Sequence, residues 1–278
     1  MAVFLSLVTA VLFGTGDFLG GLAAKRTSVL QVVVGSHFVG LVGVFVASLV
    51  LADRFIVGDF LLGMAGGALG GMGVGLLYRG LARGPMGVVA PLTAMTSAAV
   101  PAAWGVGFGE QLSSLAWVGV VLALLAIGLA SSTSSAPASP VTAQVLVEAL
   151  LSGVGFGGFF VLIDATDAAS SPWPIVGARL LTSVGIVLFL VASRRPVTAS
   201  LAGAGSLIAL TGVFDTGSNV LFLYATNQGL LSVVAVLSSL YPISTVVLAR
   251  LVLDERMTRL QLWGFVIAMG ATVLIAAG

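Results

Sequence analysis

The chain has 278 residues, of which 59% are hydrophobic and 8% charged, and its formal net charge is +1. Soluble domains carry roughly 25% charged residues, so a mean hydropathy of +1.19 excludes a water-soluble globular protein. The near-neutral charge argues against nucleic-acid binding, which needs a basic face, and the absence of cysteine excludes disulfides, thiolate metal sites and a cysteine nucleophile.

Ten stretches are long and apolar enough to cross a bilayer as helices, which takes about 20 residues each. They are continuously apolar rather than alternating, which favours helices over a β-barrel. The first stretch lacks the basic segment and cleavage site of a signal peptide, so we expect it to be retained. The predicted spans are 2–22, 29–51, 58–78, 86–107, 115–131, 144–163, 173–193, 204–225, 230–252 and 260–277.

Polar residues inside the first, second and fourth spans are candidates for a binding cavity. An acid at the centre of a span costs about 2.5–3.5 kcal/mol, so it needs a partner or a solvated cavity. The candidates in this half are Asp17, His37, Thr93 and Ser97. Alternatives remain open: His37 as a neutral histidine bonded to a backbone carbonyl, and Thr93 and Ser97 as hydroxyls bonded back to their own helix.

Glycine recurs at every fourth residue along the third span, at Gly63, Gly67, Gly71 and Gly75. This spacing is typical of a small-residue ridge that lets two membrane helices approach closely. Gly153 and Gly157 repeat it briefly in the sixth span. No strand precedes these glycines and no Walker lysine follows, so we interpret them as packing residues and not as a nucleotide site.

The longest polar stretch, 131–140, is rich in serine and proline and lies near mid-chain, which predicts a flexible linker. We therefore divide the chain into a first repeat at 1–131, a linker at 132–143 and a second repeat at 144–278. Each repeat holds five spans. Because five is odd, the second repeat must enter the membrane in the opposite orientation, which predicts inverted repeats.

The second repeat supplies further polar residues at mid-span. Thr211, Asp215 and Asn219 fall at i, i+4 and i+8, on one face of the eighth span. Arg179 in the seventh span has two interpretations, a contact with substrate or an ion pair that holds the halves together. Tyr241 lies beside Pro242, and a proline in a helix frees a carbonyl that can face a cavity.

Residues 84–129 return without insertion or deletion at 229–274. The matched pairs are Gly84 and Gly229, Glu110 and Glu255, Leu115 and Leu260, and Gly119 and Gly264. An internal repeat of this kind in a membrane chain points to the two-halved architecture of transporters. Glu110 and Glu255 lie at span ends, where we favour a capping role over a ligand role.

Several motifs add to the repeat. They are Phe13-Gly14-Thr15-Gly16-Asp17-Phe18 in the first span, Arg179 in the seventh, and Pro242, Asp254-Glu255-Arg256 and Gly264 near the end. Together with ten spans in two repeats, they resemble the EamA-like family of the drug/metabolite transporter superfamily. The chain departs from the family pattern where Phe13 replaces a tryptophan, His37 an arginine and Ser97 a proline.

Basic residues are distributed unevenly between the connections. Arg54 flanks an even-numbered connection, whereas the odd-numbered ones are flanked by Lys25, Arg26, Arg79, Arg83, Arg194, Arg195, Arg250, Arg256 and Arg259. The positive-inside rule then places the odd connections in the cytoplasm and both termini outside. The resembled family is often drawn with both termini inside; we follow the charges.

These features predict a multi-pass carrier of the cell membrane that exports a small metabolite, an amino acid or an amphiphilic drug by alternating access. No ATP-binding motif or cofactor site is recognisable, so we expect a gradient to drive transport. A channel, or a membrane scaffold or receptor that does not transport, remains an alternative. Enzyme motifs are missing: one histidine cannot form HExxH, and His37 has no recognisable serine partner.

Asp17 is the acid inside the motif that resembles the first-helix signature of the family. Gly14 and Gly16 precede it, so water can reach its carboxyl group. We expect Asp17 to carry the coupling proton and Asp215 to be the second choice; a structural pair of Asp17 with His37 is the other interpretation.

Since four-span relatives in the superfamily pair two chains and this chain fuses two halves, we expect a functional monomer in the lipid bilayer.

Overall fold

A computed structural model describes residues 1–83, 86–130, 142–194, 204–253 and 258–278. Every regular element within these ranges is helical and none is a strand. The helices are α1 (Ala2–Ala24), α2 (Val29–Leu51), α3 (Val57–Arg83), α4 (Met86–Gly107), α5 (Ser114–Ala130), α6 (Ala143–Asp164), α7 (Trp173–Ala192), α8 (Gly205–Thr226), α9 (Leu231–Ser238), α10 (Tyr241–Leu253) and α11 (Arg259–Ala277). Most of the predicted linker, and the repeat residues Gly84 and Glu255, lie outside the described residues.

Within the described residues, eight helical segments are long and apolar enough to cross a membrane, which agrees with the prediction of an all-α, multi-pass membrane protein. Seven of them are single helices, and the eighth, Leu231–Leu253, combines α9 and α10. α5 is apolar but has 17 residues. Large apolar side chains such as Phe4, Val50 and Trp263 are exposed on the outside of the bundle, where lipid would cover them.

The ninth predicted span, 230–252, corresponds to the membrane-crossing segment Leu231–Leu253, which consists of two helices, α9 and α10, separated next to Pro242. Pro242 has no N–H and cannot donate to the carbonyl of Ser238. The backbone tightens there instead, because the N–H groups of Leu240 and Ile243 donate to the carbonyls three residues earlier, at 3.2 and 3.0 Å. α9 is almost completely buried, whereas α10 contains no buried residue.

Contacts between connections define two ends of the bundle. The terminal end holds both chain termini, since a Cβ on Gly229 would touch Ala2 and one on Gly278 would touch Ser113. Residues 51–59, 107–114, 164–173 and 226–231 also belong to it. The linker end holds residues 23–32, 80–83, 86–89, 143–149 and 204–208, where Arg83 donates to Glu148 and Ala23 packs near Ala204.

The terminal end is tied together by polar contacts between the connections before α3 and before α7. Arg54 Nη2 lies 2.9 Å from Asp167 Oδ2. The buried Asp59 Oδ2 accepts from Ser170 Oγ at 2.6 Å and from the Asp167 backbone at 3.0 Å. The backbone N–H of Ala169, and then Arg54, hold the pKa of the exposed Asp167 below its usual value. These contacts join the two halves of the chain at this end.

Glu110, also at the terminal end, caps a helix from the other half of the chain. Its Oε1 and Oε2 accept from the backbone N–H groups of Leu231 at 2.6 Å and Ser232 at 3.0 Å. These N–H groups begin α9, where the helix itself offers them no acceptor, and the carboxylate also complements the helix dipole. The predicted capping role of Glu110 is therefore observed, although the capped helix is remote in sequence.

Packing follows a regular pattern along the chain. α1 packs against α8, α9 and α10, whereas α6 packs against α3 and α4. α2 contacts α7 and α8, α3 contacts α7, and α5 lies along α11. The largest buried cluster joins alanines of α4 and α5 to Leu237 of α9 and Ile275 of α11, so the last helices of each half meet in the core.

The predicted glycine ridge of α3 packs against α7. A Cβ on Gly63 would collide with the carbonyl of Pro174, one on Gly67 would lie 2.7 Å from the Cα of Ala178, and one on Gly71 would touch Thr182 at 3.4 Å. Gly75 has no neighbour within 4 Å. The packing interpretation is thus confirmed for three of the four glycines.

Replacing Gly67 with alanine is expected to destabilise the protein, whereas Gly75→Ala serves as its matched control. The new methyl group at 67 meets backbone atoms of α7, and such overpacking costs about 1–3 kcal/mol. At 75 the space is open, and alanine gains up to about 1 kcal/mol over glycine inside a helix. Thermal unfolding of the detergent-solubilised protein, followed by tryptophan fluorescence, measures both. Equal midpoints would contradict the described contact between α3 and α7.

Candidate functional site

The centre of the bundle contains an ion pair between two membrane helices. Arg179 of α7 places Nη2 2.5 Å from Asp215 Oδ2 of α8, and the two side chains are 10% and 31% exposed. Charges inside a membrane almost always pair or face a cavity; these two residues pair with each other and also line a cavity. Since both residues belong to the second half, the ion pair joins α7 to α8 and does not hold the two halves together.

His37 reaches the same guanidinium from α2, in the first half. Its Nε2 lies 3.0 Å from Arg179 Nη1, and its Nδ1 lies 3.1 Å from Thr182 Oγ1. The Thr182 hydroxyl is also within hydrogen-bond distance of the backbone carbonyls of Ala178, at 3.0 Å, and Arg179, at 3.2 Å. Arg179 is therefore held from two sides by helices of different halves.

A cavity of about 130 Å³ surrounds this pair. At about 30 Å³ per liquid water, it has room for about four water molecules. One wall is made by glycines of α3, and the others carry aromatic rings of α1 and α6. The lining residues include Phe13, His37, Gly67, Gly70, Gly71, Phe156, Phe159, Phe160, Arg179, Thr182, Asp215 and Asn219. The result is a small, mostly apolar chamber with a charged floor.

Asp17 lies beside this chamber and not in its lining. Its side chain is exposed, yet it interacts electrostatically with Asp215 and Tyr241. The backbones of α1 and α8 approach closely here, because a Cβ on Gly16 would lie 3.3 Å from the Asp215 nitrogen. Among the described residues, no hydrogen bond or ion pair reaches the Asp17 carboxylate. His37 contacts Arg179 and Thr182 instead of pairing with Asp17.

Asn219 is the predicted residue of the α8 stripe that joins Asp215 in the chamber lining. Its Nδ2 donates to the Asp215 carbonyl at 2.7 Å, which leaves its amide oxygen available. Thr211, one turn before Asp215, donates to Leu207 within its own helix at 2.8 Å. Of the three residues of the stripe, Asp215 and Asn219 therefore line the chamber and Thr211 does not.

Like Asp17, the predicted site residues Thr93, Ser97 and Tyr241 do not line the chamber. Thr93 is 2% exposed and donates across to Ala149 of α6 at 3.1 Å. Ser97 is 3% exposed and donates to Ala94 in its own helix at 2.9 Å. The Tyr241 ring centroid lies 6.2 Å from that of Phe13, which does line the chamber. Tyr241 thus borders the chamber through Phe13.

Sequence reasoning missed Thr182 and the aromatic wall of α6. Thr182 follows Arg179 by three residues inside an apolar span, and this spacing, which places both on one helix face, could have identified it. Phe159 and Phe160 gave no such signal, because aromatic residues in a membrane span are equally suited to facing lipid. Ser238 and Ser239, which lie where α9 ends, are not among the predicted site residues either. Their buried hydroxyls have no partner among the described residues.

Comparison with known proteins finds a family model that matches the second half of the chain. Residues 144–277 match the model of the EamA-like transporter family. No curated protein matches the chain in sequence. A solved crystal structure superposes with a TM-score of 0.81 over 98% of this chain and 95% of the other, at 15% sequence identity. At that identity the likeness shows the fold alone.

Proposed function

We propose that this chain, whose residues 144–277 match the EamA-like transporter family, is a proton-coupled secondary carrier of the drug/metabolite transporter superfamily. Members of this family are membrane transporters and not enzymes. In the proposal, ten spans form two inverted five-helix halves that rock around a site near the membrane midplane. The carrier exports a small metabolite across the cell membrane and works as a monomer.

One observation carries the proposal: an ion pair lies inside the bundle, where helices of both halves meet. Arg179 and Asp215 come from the second half, and His37 approaches from the first. A charged pair at this depth is costly to keep. A site that binds substrate between two moving halves needs polar groups at this place.

The packing pattern supports the proposed inverted halves. α1 begins at the terminal end, beside Gly229, whereas α6 begins at the linker end, where Arg83 contacts Glu148. Exchanging α1 for α6, α2 for α7, α3 for α8, α4 for the α9–α10 pair and α5 for α11 maps the main described helix contacts onto one another. Such exchange is the property of two repeats related by a two-fold axis.

The chamber favours a small substrate with both charges. The carboxylate of a zwitterion such as an amino acid could replace Asp215 as the partner of Arg179. Its ammonium group could replace Arg179 as the partner of Asp215. The aromatic wall of Phe156, Phe159 and Phe160 suits an apolar side chain. A small cationic amphiphile would use Asp215 and the same wall, and it is the second substrate class.

The contacts at the terminal end support a conformation that is closed there, so substrate would enter from the linker end. That end carries the described basic residues Lys25, Arg26, Arg79 and Arg83 of the odd-numbered connections, which the positive-inside rule places in the cytoplasm. Entry from the cytoplasm and release outside correspond to export. Asp17 lies about 10 Å along α1 from the linker end, on the proposed entry side.

Asp17 supplies the proposed coupling. Its carboxylate has no cationic partner among the described residues and lies close enough to Asp215 to interact with it. Two neighbouring carboxylates and one arginine leave one negative charge to be neutralised, either by a proton or by a cationic group of the substrate. Binding one or the other at the same place is the basis of exchange.

Reconstitution into liposomes tests the function against its alternatives. A proton-sensitive dye trapped inside reports proton movement when single amino acids, or ethidium as a cationic amphiphile, are added one at a time. We expect saturable proton flux with at least one of these compounds, and accelerated exchange of labelled for unlabelled compound. Flux that rises linearly with concentration would indicate a channel, and a complete absence of flux would indicate a scaffold or receptor.

A further inference from the structure

We infer that His37 is an uncharged positioning residue, which holds Arg179 for the substrate and carries its single ring proton on Nδ1 because Thr182 accepts it. In this role His37 is neither a substrate ligand nor a proton carrier. The role rests on the proposed function in one respect, that Arg179 contacts the substrate. The protonation pattern itself does not depend on transport.

The contacts of His37 determine where its ring proton lies. A guanidinium has five N–H donors and no acceptor, so the His37 Nε2 that lies 3.0 Å from Arg179 Nη1 must present its lone pair. The other nitrogen, Nδ1, then carries the proton and donates it to Thr182 Oγ1 at 3.1 Å. A ring protonated on both nitrogens would point an N–H at the N–H of Arg179.

Thr182 completes the chain of donors and acceptors. Its hydroxyl accepts from His37 Nδ1, and it can give its own proton to the carbonyl of Ala178 at 3.0 Å or of Arg179 at 3.2 Å. Both carbonyls belong to α7 and accept only. Whichever of the two carbonyls accepts from Thr182, the Thr182 oxygen accepts from His37 Nδ1. This assignment fixes the histidine tautomer.

The surroundings of His37 agree with an uncharged ring. Arg179 of α7 is the charged group in contact with it, and Asp215 of α8 is directed at the same guanidinium and not at the ring. The α3 residues that line the same chamber, Gly67, Gly70, Gly71 and Val74, carry no charge. Among the described residues, no carboxylate contacts His37 to balance a positive imidazolium.

The two terminal nitrogens of Arg179 have different partners, and we expect only one of these partners to be replaced when substrate binds. Nη2 faces Asp215, and Nη1 faces His37. A substrate carboxylate can replace Asp215 at Nη2, because both are anionic acceptors. His37, a neutral acceptor, keeps Nη1 in place during that replacement, so the guanidinium does not have to be reoriented when substrate binds.

The first test uses the fact that the chain has one histidine. In protein labelled with ¹⁵N-histidine and embedded in lipid nanodiscs at pH 7, long-range ¹H–¹⁵N correlation spectra report His37 alone. We expect a protonated Nδ1 and an unprotonated Nε2. Protonation of Nε2, protonation of both nitrogens, or an average of the two tautomers would overturn the inference.

Two substitutions of Thr182 test how the tautomer is fixed. Thr182→Ser keeps the hydroxyl and should leave the spectrum of His37 unchanged, whereas Thr182→Val removes the acceptor and should populate the other tautomer. Thermal unfolding and gel filtration of both variants show whether each is folded. An unchanged spectrum in a folded Thr182→Val protein would contradict the role of Thr182.

The transport test uses glutamine and asparagine as a matched pair. The side-chain oxygen of glutamine can occupy the place of Nε2, whereas that of asparagine reaches only the place of Nδ1. We expect His37→Asn to raise KM about tenfold, the effect of one hydrogen bond to a charged group, with kcat nearly unchanged. His37→Gln should restore KM to within about threefold.

The outcomes separate this inference from the proposed function. Equal KM values for His37→Gln and His37→Asn, or a loss that falls on kcat, would overturn the positioning role even if the wild-type protein transports. If the wild-type protein moves none of the test compounds, the proposed function fails, and the spectrum of His37 still decides the tautomer.

Discussion

Arg179→Leu is expected to reduce transport at least about 100-fold and to destabilise the protein. The substitution removes the group offered to the substrate and leaves Asp215 and His37 without their partner. Breaking a buried ion pair costs about 3–5 kcal/mol, and the partial exposure of Asp215 places the expected cost at the lower end. Arg179→Lys should lose most of the transport too, since one ammonium cannot present a planar fork to His37 and Asp215 together.

The double variant Arg179→Leu with Asp215→Leu separates stability from function. Replacing a whole buried pair by apolar residues is often neutral or stabilising, so the double variant should unfold at a higher temperature than either single variant. Transport should remain absent in all three. A double variant that transports would show that the pair is not part of the binding site, and additive losses of stability would show that the pair is not coupled.

Asp17→Asn is expected to abolish transport driven by a proton gradient and to spare exchange of labelled for unlabelled substrate. Asparagine has nearly the same shape but cannot bind and release a proton. Exchange needs only that the loaded site reorient, whereas net transport needs the site to return with its proton. Both rates can be measured in the same liposomes, with a pH difference imposed or absent.

Asp53→Asn is the matched control for this substitution, because Asp53 is an exposed acid in the connection before α3. It should leave both rates unchanged. If Asp17→Asn instead responds to the pH difference as the wild-type protein does, Asp17 does not carry the coupling proton. Asp215→Asn is then the next variant to measure.

Much of the fold could be predicted from sequence, because the bilayer fixes how long an apolar helix must be. α2 and α4 begin and end where hydropathy places them. The ninth span could be predicted because 230–252 is apolar, and Pro242 indicated a freed carbonyl within it. Its break depends on which carbonyls lose a donor at Pro242, and on burial that differs between α9 and α10, neither of which hydropathy records.

The candidate site shows a similar division. The cost of a charge in hydrocarbon singles out Asp17, His37, Arg179 and Asp215 without any structure. Which of them contact one another depends on how α2, α7 and α8 pack, and a single sequence does not contain that information. Thr93 was a plausible cavity residue by the same argument, yet its hydroxyl bonds to Ala149 between two helices.

The break between α9 and α10 has a mechanical consequence. α9 is anchored by Glu110 and by its burial, whereas α10 is free of buried side chains. With 13 residues, α10 is a lever arm about 20 Å long. A rotation of about 15° at Leu240 displaces its far tip by about 5 Å, the width of a side chain, while the hydrogen bonds within both helices stay intact.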